Sequence, residues 1–209
     1  MSESLDSSLA RELAWDTSAP PGGWGRSSVR YYRDSSSRIE RARQQEKMPT
    51  VPVETIAKYT NEYLAVLGVE PVKKSKFDIP VDATDQELKK FLKTTLYETV
   101  HKPDLIWMKF TSDGFLGVVA AGKDINFDIP SGEETNLKHR NTSGIIVQSL
   151  AKSWDRSFIL AFPLFGIPAD LQRGNIEAGI GNYLIRRSVP ILDFYSHRCQ
   201  FGLGKMQVS

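Results

Sequence analysis

The 209-residue chain is 40% hydrophobic and 25% charged, enough to bury one sizeable core with the composition of an ordinary globular protein. A formal charge of +2 is too small to demand a nucleic-acid partner, and one cysteine, Cys199, excludes an internal disulfide framework and a thiolate zinc cluster, which points to the cytoplasm. No apolar run is long enough to span a bilayer, and Glu3 and Asp6 stand where a signal peptide needs basic residues and then an apolar block, so no membrane partner is expected.

Residues 1–50 are rich in Ser, Arg, Gly and Pro and predict a partly disordered basic-aromatic arm, with short helices over 8–15 and 37–47. Trp15, Trp24, Tyr31 and Tyr32 lie among Arg26, Arg30, Arg33, Arg38, Arg41 and Arg43, a mixture that can stack bases and pair with phosphates. Asp16, Asp34, Glu40 and Glu46 dilute that charge and favour a simpler reading, in which the aromatics pin the arm onto the domain. Residues 51–209 read as a single α/β domain.

The stripe Val53, Ile56, Ala57, Tyr63, Leu64 and Leu67 predicts a helix that stops at Gly68, followed by a polar connector. Thr84-Asp85-Gln86-Glu87 matches a capping box, and Leu88, Phe91, Leu92, Thr95, Leu96 and Thr99 form the apolar face of the helix it opens. Two apolar runs, 105–110 and 115–121, flank Thr111-Ser112-Asp113-Gly114 and predict a β-hairpin, with 125–129 as a third antiparallel strand. A polar loop over 130–140 leads to Asn141 or Thr142 as the cap of a helix carrying Ile145, Ile146, Leu150 and Trp154.

The run 157–164 is apolar, aromatic and branched, too short for a good helix, and reads as a strand covered on both faces; 189–195 reads the same way. Between them Ile176, Ile180, Tyr183 and Leu184 recur at helical spacing and predict a helix over 174–187. A strand-helix-strand unit of this kind makes a parallel pair with a right-handed crossover, so both strand exits and the helix start share one sheet edge. Glu177, Tyr195 and His197 are expected at that edge. The fold class is therefore α/β: a mixed sheet with an antiparallel hairpin and a strand-helix-strand parallel unit, and helices on both faces.

Pro103-Asp104 opens the hairpin, and Lys123 closes its second strand. With the order helix, antiparallel strands, helix, strand, helix, strand, residues 84–197 resemble the core of the PD-(D/E)xK nuclease superfamily, the fold of many type II restriction endonucleases. The resemblance implies a magnesium-dependent endonuclease acting on double-stranded DNA. In it, Asp104 and an acid two residues before Lys123 hold Mg2+, while Lys123 positions or activates the attacking water. Position 121 is Ala, so Glu98, Asp124 or Asp128 would have to complete the metal site. Gln148 stands in the next helix, where some nucleases carry a glutamine near the metal, but it falls opposite Ile146 and Leu150 and is expected to face solvent. Glu87-Leu88-Lys89 has the acid-x-Lys spacing, yet its Glu already belongs to the capping box. Lys138, His139 and Arg140 precede a helix start and could bind phosphate there, although a solvated basic loop explains them too. A homodimer would suit two-fold cleavage.

Glu177-Ala178-Gly179-Ile180-Gly181 is similar to the glutamate-bearing helix of nucleoside deoxyribosyltransferases and related nucleotide glycosidases. That resemblance implies Glu177 acting at the anomeric carbon of a nucleoside, with His197 or Tyr195 nearby. The chain departs from that family in its antiparallel hairpin and in lacking a leading strand with nucleotide-binding glycines. A plainer reading has Glu177 favouring the helix amino terminus and Gly179 and Gly181 permitting close helix-sheet packing. On the last strand Asp193, Tyr195 and His197 alternate onto one side, and a buried Asp193 would need Arg186, Arg187 or His197 as partner. His197 and Cys199 lack a third orienting group, and three histidines are few for a zinc site. The third functional reading is a non-catalytic partner-binding protein in which Ala121 marks a lost metal site.

Overall fold

The computed structural model describes residues 5–15, 35–96, 104–122 and 142–193. In chain order these form α1 (Ser7–Trp15), α2 (Ser35–Gln45), α3 (Val53–Val66), β1 (Lys76–Asp78), α4 (Asp85–Leu96), β2 (Asp104–Phe110), β3 (Leu116–Gly122), α5 (Thr142–Ser149), β4 (Phe158–Leu164), α6 (Arg173–Arg186) and β5 (Ile191–Asp193). The strands make one mixed sheet in the order β1-β4-β2-β3-β5, antiparallel throughout except for the parallel pair β3 and β5. The helices cover both of its faces, the expected α/β architecture.

Alternation along β2 sorts the core into two. Ile106, Met108 and Phe110 point to one face, where Leu160, Phe162 and Leu164 of β4 join them under Ile176 and Ile180 of α6, Leu64 of α3 and Leu13 of α1. Leu105 and Trp107 point the other way, with Ile159 and Ala161 of β4 and Phe91 of α4, while α5 adds Val147 against Leu192 of β5. Full burial of each such side chain contributes roughly 1.5–3 kcal/mol. The buried Lys109 lies on that second side with its ammonium 5.7 Å from the Trp107 ring centre and 5.5 Å from that of Trp154.

The hairpin turns at Thr111, whose N–H donates to the Phe115 carbonyl at 2.9 Å, and Gly114 supplies the positive φ of +91° that the turn needs. The register then shifts: Lys109 opposes Val118 while Phe110 opposes Leu116, leaving Gly117 as the extra residue. A Cβ on Gly117 would overlap the Trp154 ring, so the bulge is also where the tryptophan packs. Trp154 thus lies beyond the helix it was expected to join. α5 has already ended, with Ala151 at φ 55° and the Lys152 N–H donating to the Val147 carbonyl at 3.1 Å.

Four further features differ from expectation. β4 and β5 run parallel but are not neighbours, because β4 spends both edges on antiparallel pairing with β1 and β2, and β5 adds instead to the outer edge of β3. α6 therefore crosses over β2 and β3. The polar connector contains β1, a three-residue edge strand that buries only Phe77 and is too short to leave a periodic signal. α1 is part of the first core rather than of a loose arm: Ala10, Leu13 and Ala14 are fully buried, while Trp15 stays exposed. Side chains of the domain complete it, as the Tyr63 hydroxyl donates to the Ala10 carbonyl at 2.8 Å and the Asn182 amide donates to that of Leu13 at 2.8 Å. Burial in this contact pushes the Tyr63 phenol above its ordinary pKa. Finally, Gly179 serves helix-helix rather than helix-sheet packing, since a Cβ there would strike the Tyr63 ring and come within 3.2 Å of Ala14 Cα. No helix among the described residues is long and apolar enough to cross a membrane.

Candidate active site

One edge of the sheet collects the ends of three strands: β3 and β4 finish there and β2 begins. The β4–α6 connection and the first turn of α6 close over this edge and leave a cleft of about 710 Å³. Its walls are apolar where Ala120, Ala121, Ile167, Pro168 and Leu171 line it, and its chemistry comes from Asp104, Arg173 and Glu177. Both residues that line it at the end of β3, Ala120 and Ala121, carry only a methyl group.

Each polar group has a local reason for its place. Asp104 is the first residue of β2 and half-buried. α6 begins where the Gln172 N–H, in extended backbone, donates to Asn175 Oδ1 at 3.0 Å. Arg173 is the first residue of that helix, and Glu177 follows four residues later on the same face, one turn deeper and only 7% exposed. Arg173 Nη1 donates to Asp104 Oδ1 at 2.8 Å, with both side chains about one-third exposed (33% and 30%). At that exposure the pair contributes about 0–1 kcal/mol. A cation at a helix amino terminus meets the positive end of the macrodipole, a term of about 0.3–1 kcal/mol of the wrong sign, which the Asp104 carboxylate offsets.

The structure thus brings together two acids that entered through separate readings, Asp104 from the nuclease pattern and Glu177 from the glycosidase pattern. It adds Arg173, which neither reading contained; its only trace in the sequence is the Arg-x-x-x-Glu spacing at the head of an amphipathic helix. Ala121, where the nuclease pattern wants an acid, lines the same cleft with a methyl group. Glu98, Lys123, Asp124, Asp128, Lys138, His139, Arg140, Tyr195, His197 and Cys199 lie outside the described residues. Gln148 is exposed, as expected. Asp193 is buried at the end of β5, opposite Val118, and Arg187 donates to the Tyr183 hydroxyl at 2.7 Å with Glu62 at 3.7 Å.

Among the described residues no group of three or more His, Cys, Asp or Glu side chains could hold a metal ion. Mg2+, however, keeps several waters and is commonly bound through one or two carboxylates together with substrate phosphate oxygens, so the hard oxygen donors of Asp104 and Glu177 fit it. No family model, curated protein or solved structure matches the chain.

Proposed function

We propose that the chain is a magnesium-dependent endonuclease that hydrolyses phosphodiester bonds of double-stranded DNA in the Asp104–Glu177 cleft. The observation that carries this reading is that Asp104, at the head of β2, shares one cleft with a second carboxylate and an arginine. Glu177 of α6 takes the part that an acid at position 121 would play, so the second metal ligand comes from the helix rather than from β3. Bound Mg2+ would neutralise charge on the phosphate and lower the pKa of a water for attack. Arg173 offers a planar fork of donors suited to phosphate oxygens. Lys123 follows β3 by one residue and is assigned to orienting the water, as the nuclease resemblance implies. A cytoplasmic restriction-type role and a homodimer on a two-fold DNA site belong to the same proposal.

The test is cleavage of a mixed-sequence plasmid by the full chain in Mg2+ and in EDTA. Magnesium-dependent fragments are expected, with a loss of at least about 100-fold in Asp104→Asn and in Glu177→Gln. Cleavage that survives both substitutions would remove the cleft from the reaction.

One observation favours a second reading. Glu177 is buried more deeply than Asp104, and about 710 Å³ lies within the roughly 300–1,000 Å³ of small-molecule sites. A nucleoside N-glycosidase would use the Glu177 carboxylate against the anomeric carbon, directly or through water, as the base departs with a proton. Base release from a nucleoside panel that ignores EDTA and is abolished by Glu177→Gln would select it.

A further inference from the structure

We infer that the unit this cleft recognises is a single unpaired nucleotide, its phosphate held by Arg173 and its base laid against the apolar part of the wall. The inference rests on the nuclease reading of the cleft and names the form in which DNA enters it.

Three observations carry it. The first is the use Arg173 makes of its donors. A guanidinium has about five N–H donors, and the side-chain hydrogen bond of Arg173 among the described residues spends one of them, from Nη1 to Asp104 Oδ1 at 2.8 Å. That bond braces the side chain without using up the fork, and at 33% exposure the remaining donors can meet a phosphate oxygen with the ion pair intact. The second is the rest of the lining. A phosphodiester backbone is polar and charged and gains nothing from burial against hydrocarbon. Yet the same cleft is walled by Ile167, Pro168 and Leu171 around the β4–α6 connection and by Ala120 and Ala121 of β3. A base that has left its stack offers a broad face that apolar side chains can cover. The third is size. A cleft of about 710 Å³ falls within the roughly 300–1,000 Å³ of small-molecule sites, which suits one nucleotide. A base that stays stacked and paired presents only its edges to a protein and has no face to set against such a wall.

The probe is thymidine 5′-monophosphate, titrated calorimetrically into the full chain with Mg2+ present, beside thymidine and inorganic phosphate. Wild type should bind the monophosphate at least about tenfold more tightly than either part alone. Arg173→Gln should bring the monophosphate down to the level of thymidine and leave thymidine itself unchanged. Ala121→Leu, which adds bulk to the wall, should weaken the monophosphate and thymidine about tenfold and spare inorganic phosphate. Single-stranded oligothymidylate should displace the monophosphate, whereas a fully paired duplex of the same length should do so at least about tenfold less well, because unpairing a base costs free energy. Thermal melts by circular dichroism establish that each variant is folded; Arg173→Lys, which has no planar fork, replaces Arg173→Gln if that variant is not. The wild-type comparison of ligands stands without any variant. A monophosphate affinity no better than that of inorganic phosphate overturns the inference, as does a paired duplex that displaces the monophosphate as well as the single strand does. So does a monophosphate affinity left unchanged in the arginine variant or in Ala121→Leu. The two claims fail separately: nucleotide binding in this pattern without DNA cleavage sinks the nuclease reading alone, and magnesium-dependent cleavage by a chain that does not bind the monophosphate sinks the inference alone.

Discussion

The two ends of the sheet use the same residue types differently. At the hairpin end, Lys152 donates to Asp113 and lies 3.9 Å from Glu46, while Thr111 also donates to Asp113, so three segments of chain are tied by one small ionic cluster. At the other end, Asp104 and Glu177 share a cleft in which Arg173 is the one cation among the described residues that line the wall. The first arrangement gives Asp113 two donors and sets Glu46 beside the same ammonium. The second leaves open volume beside two acids and places its arginine where the helix disfavours it. The hairpin cluster joins three segments of chain at the surface, whereas the acids at the other end line a concave volume.

Substitutions that separate the two ends sharpen this comparison. The largest effects belong to the cleft, where Asp104→Asn and Glu177→Gln should each reduce activity by at least about 100-fold with little change in melting temperature. Next comes the support behind the cleft. Gly179→Ala forces a methyl group into Tyr63 and toward Ala14, and should destabilise by about 1–3 kcal/mol in a denaturant titration, as overpacking does. If Gly179→Ala melts like wild type, α1 and α3 are not seated on α6 as described.

The hairpin end should respond more weakly and only in stability. Burial raises the Asp113 pKa, but hydrogen bonds from Lys152 and Thr111 outweigh it and hold the carboxyl below its ordinary value. A carboxylate with a depressed folded pKa adds stability that is present above its unfolded pKa and lost as pH falls through the folded value. Asp113 is about half exposed (49%), so the effect is screened to below about 1 kcal/mol. Asp113→Asn should therefore lower the melting temperature slightly at neutral pH, converge with wild type in acid and leave activity unchanged. Loss of activity would mean that the two ends are coupled.

An effect of similar size has the opposite sign. α3, α5 and α6 all end with a left-handed residue followed by an amide that donates five residues back, as when the Val189 N–H donates to the Leu184 carbonyl at 3.0 Å. Gly68 fills that position in α3 at no steric cost, but Ser188 does so in α6 at φ 60°. Ser188→Gly should stabilise by about 0.5–1 kcal/mol in thermal unfolding and leave the cleft untouched.

Local patterns were legible where local forces decide. The alternation of β2, the Asp113-Gly114 turn and the capping box all hold, the last with Thr84 N–H to Glu87 Oε2 at 3.0 Å and Glu87 N–H to Thr84 Oγ1 at 3.3 Å. What escaped depends on distant partners. β1 exists because β4 offers it an edge, the separation of β4 from β5 follows from competition for strand edges, and α1 joins the core because Gly179 lets it approach. The candidate site divides in the same way. Asp104 and Glu177 were each visible as an acid at an element start, but nothing in the 72 intervening positions says that they meet. Only the crossing of α6 over β2 and β3 joins them, and it brings Arg173 along.

The most direct test compares plasmid cleavage in Mg2+ by wild type, Glu177→Gln and Asp113→Asn under one set of conditions. The account predicts magnesium-dependent cutting by wild type and Asp113→Asn, suppressed by EDTA, and none by Glu177→Gln. Equal cutting by wild type and Glu177→Gln, or none by wild type, would contradict it.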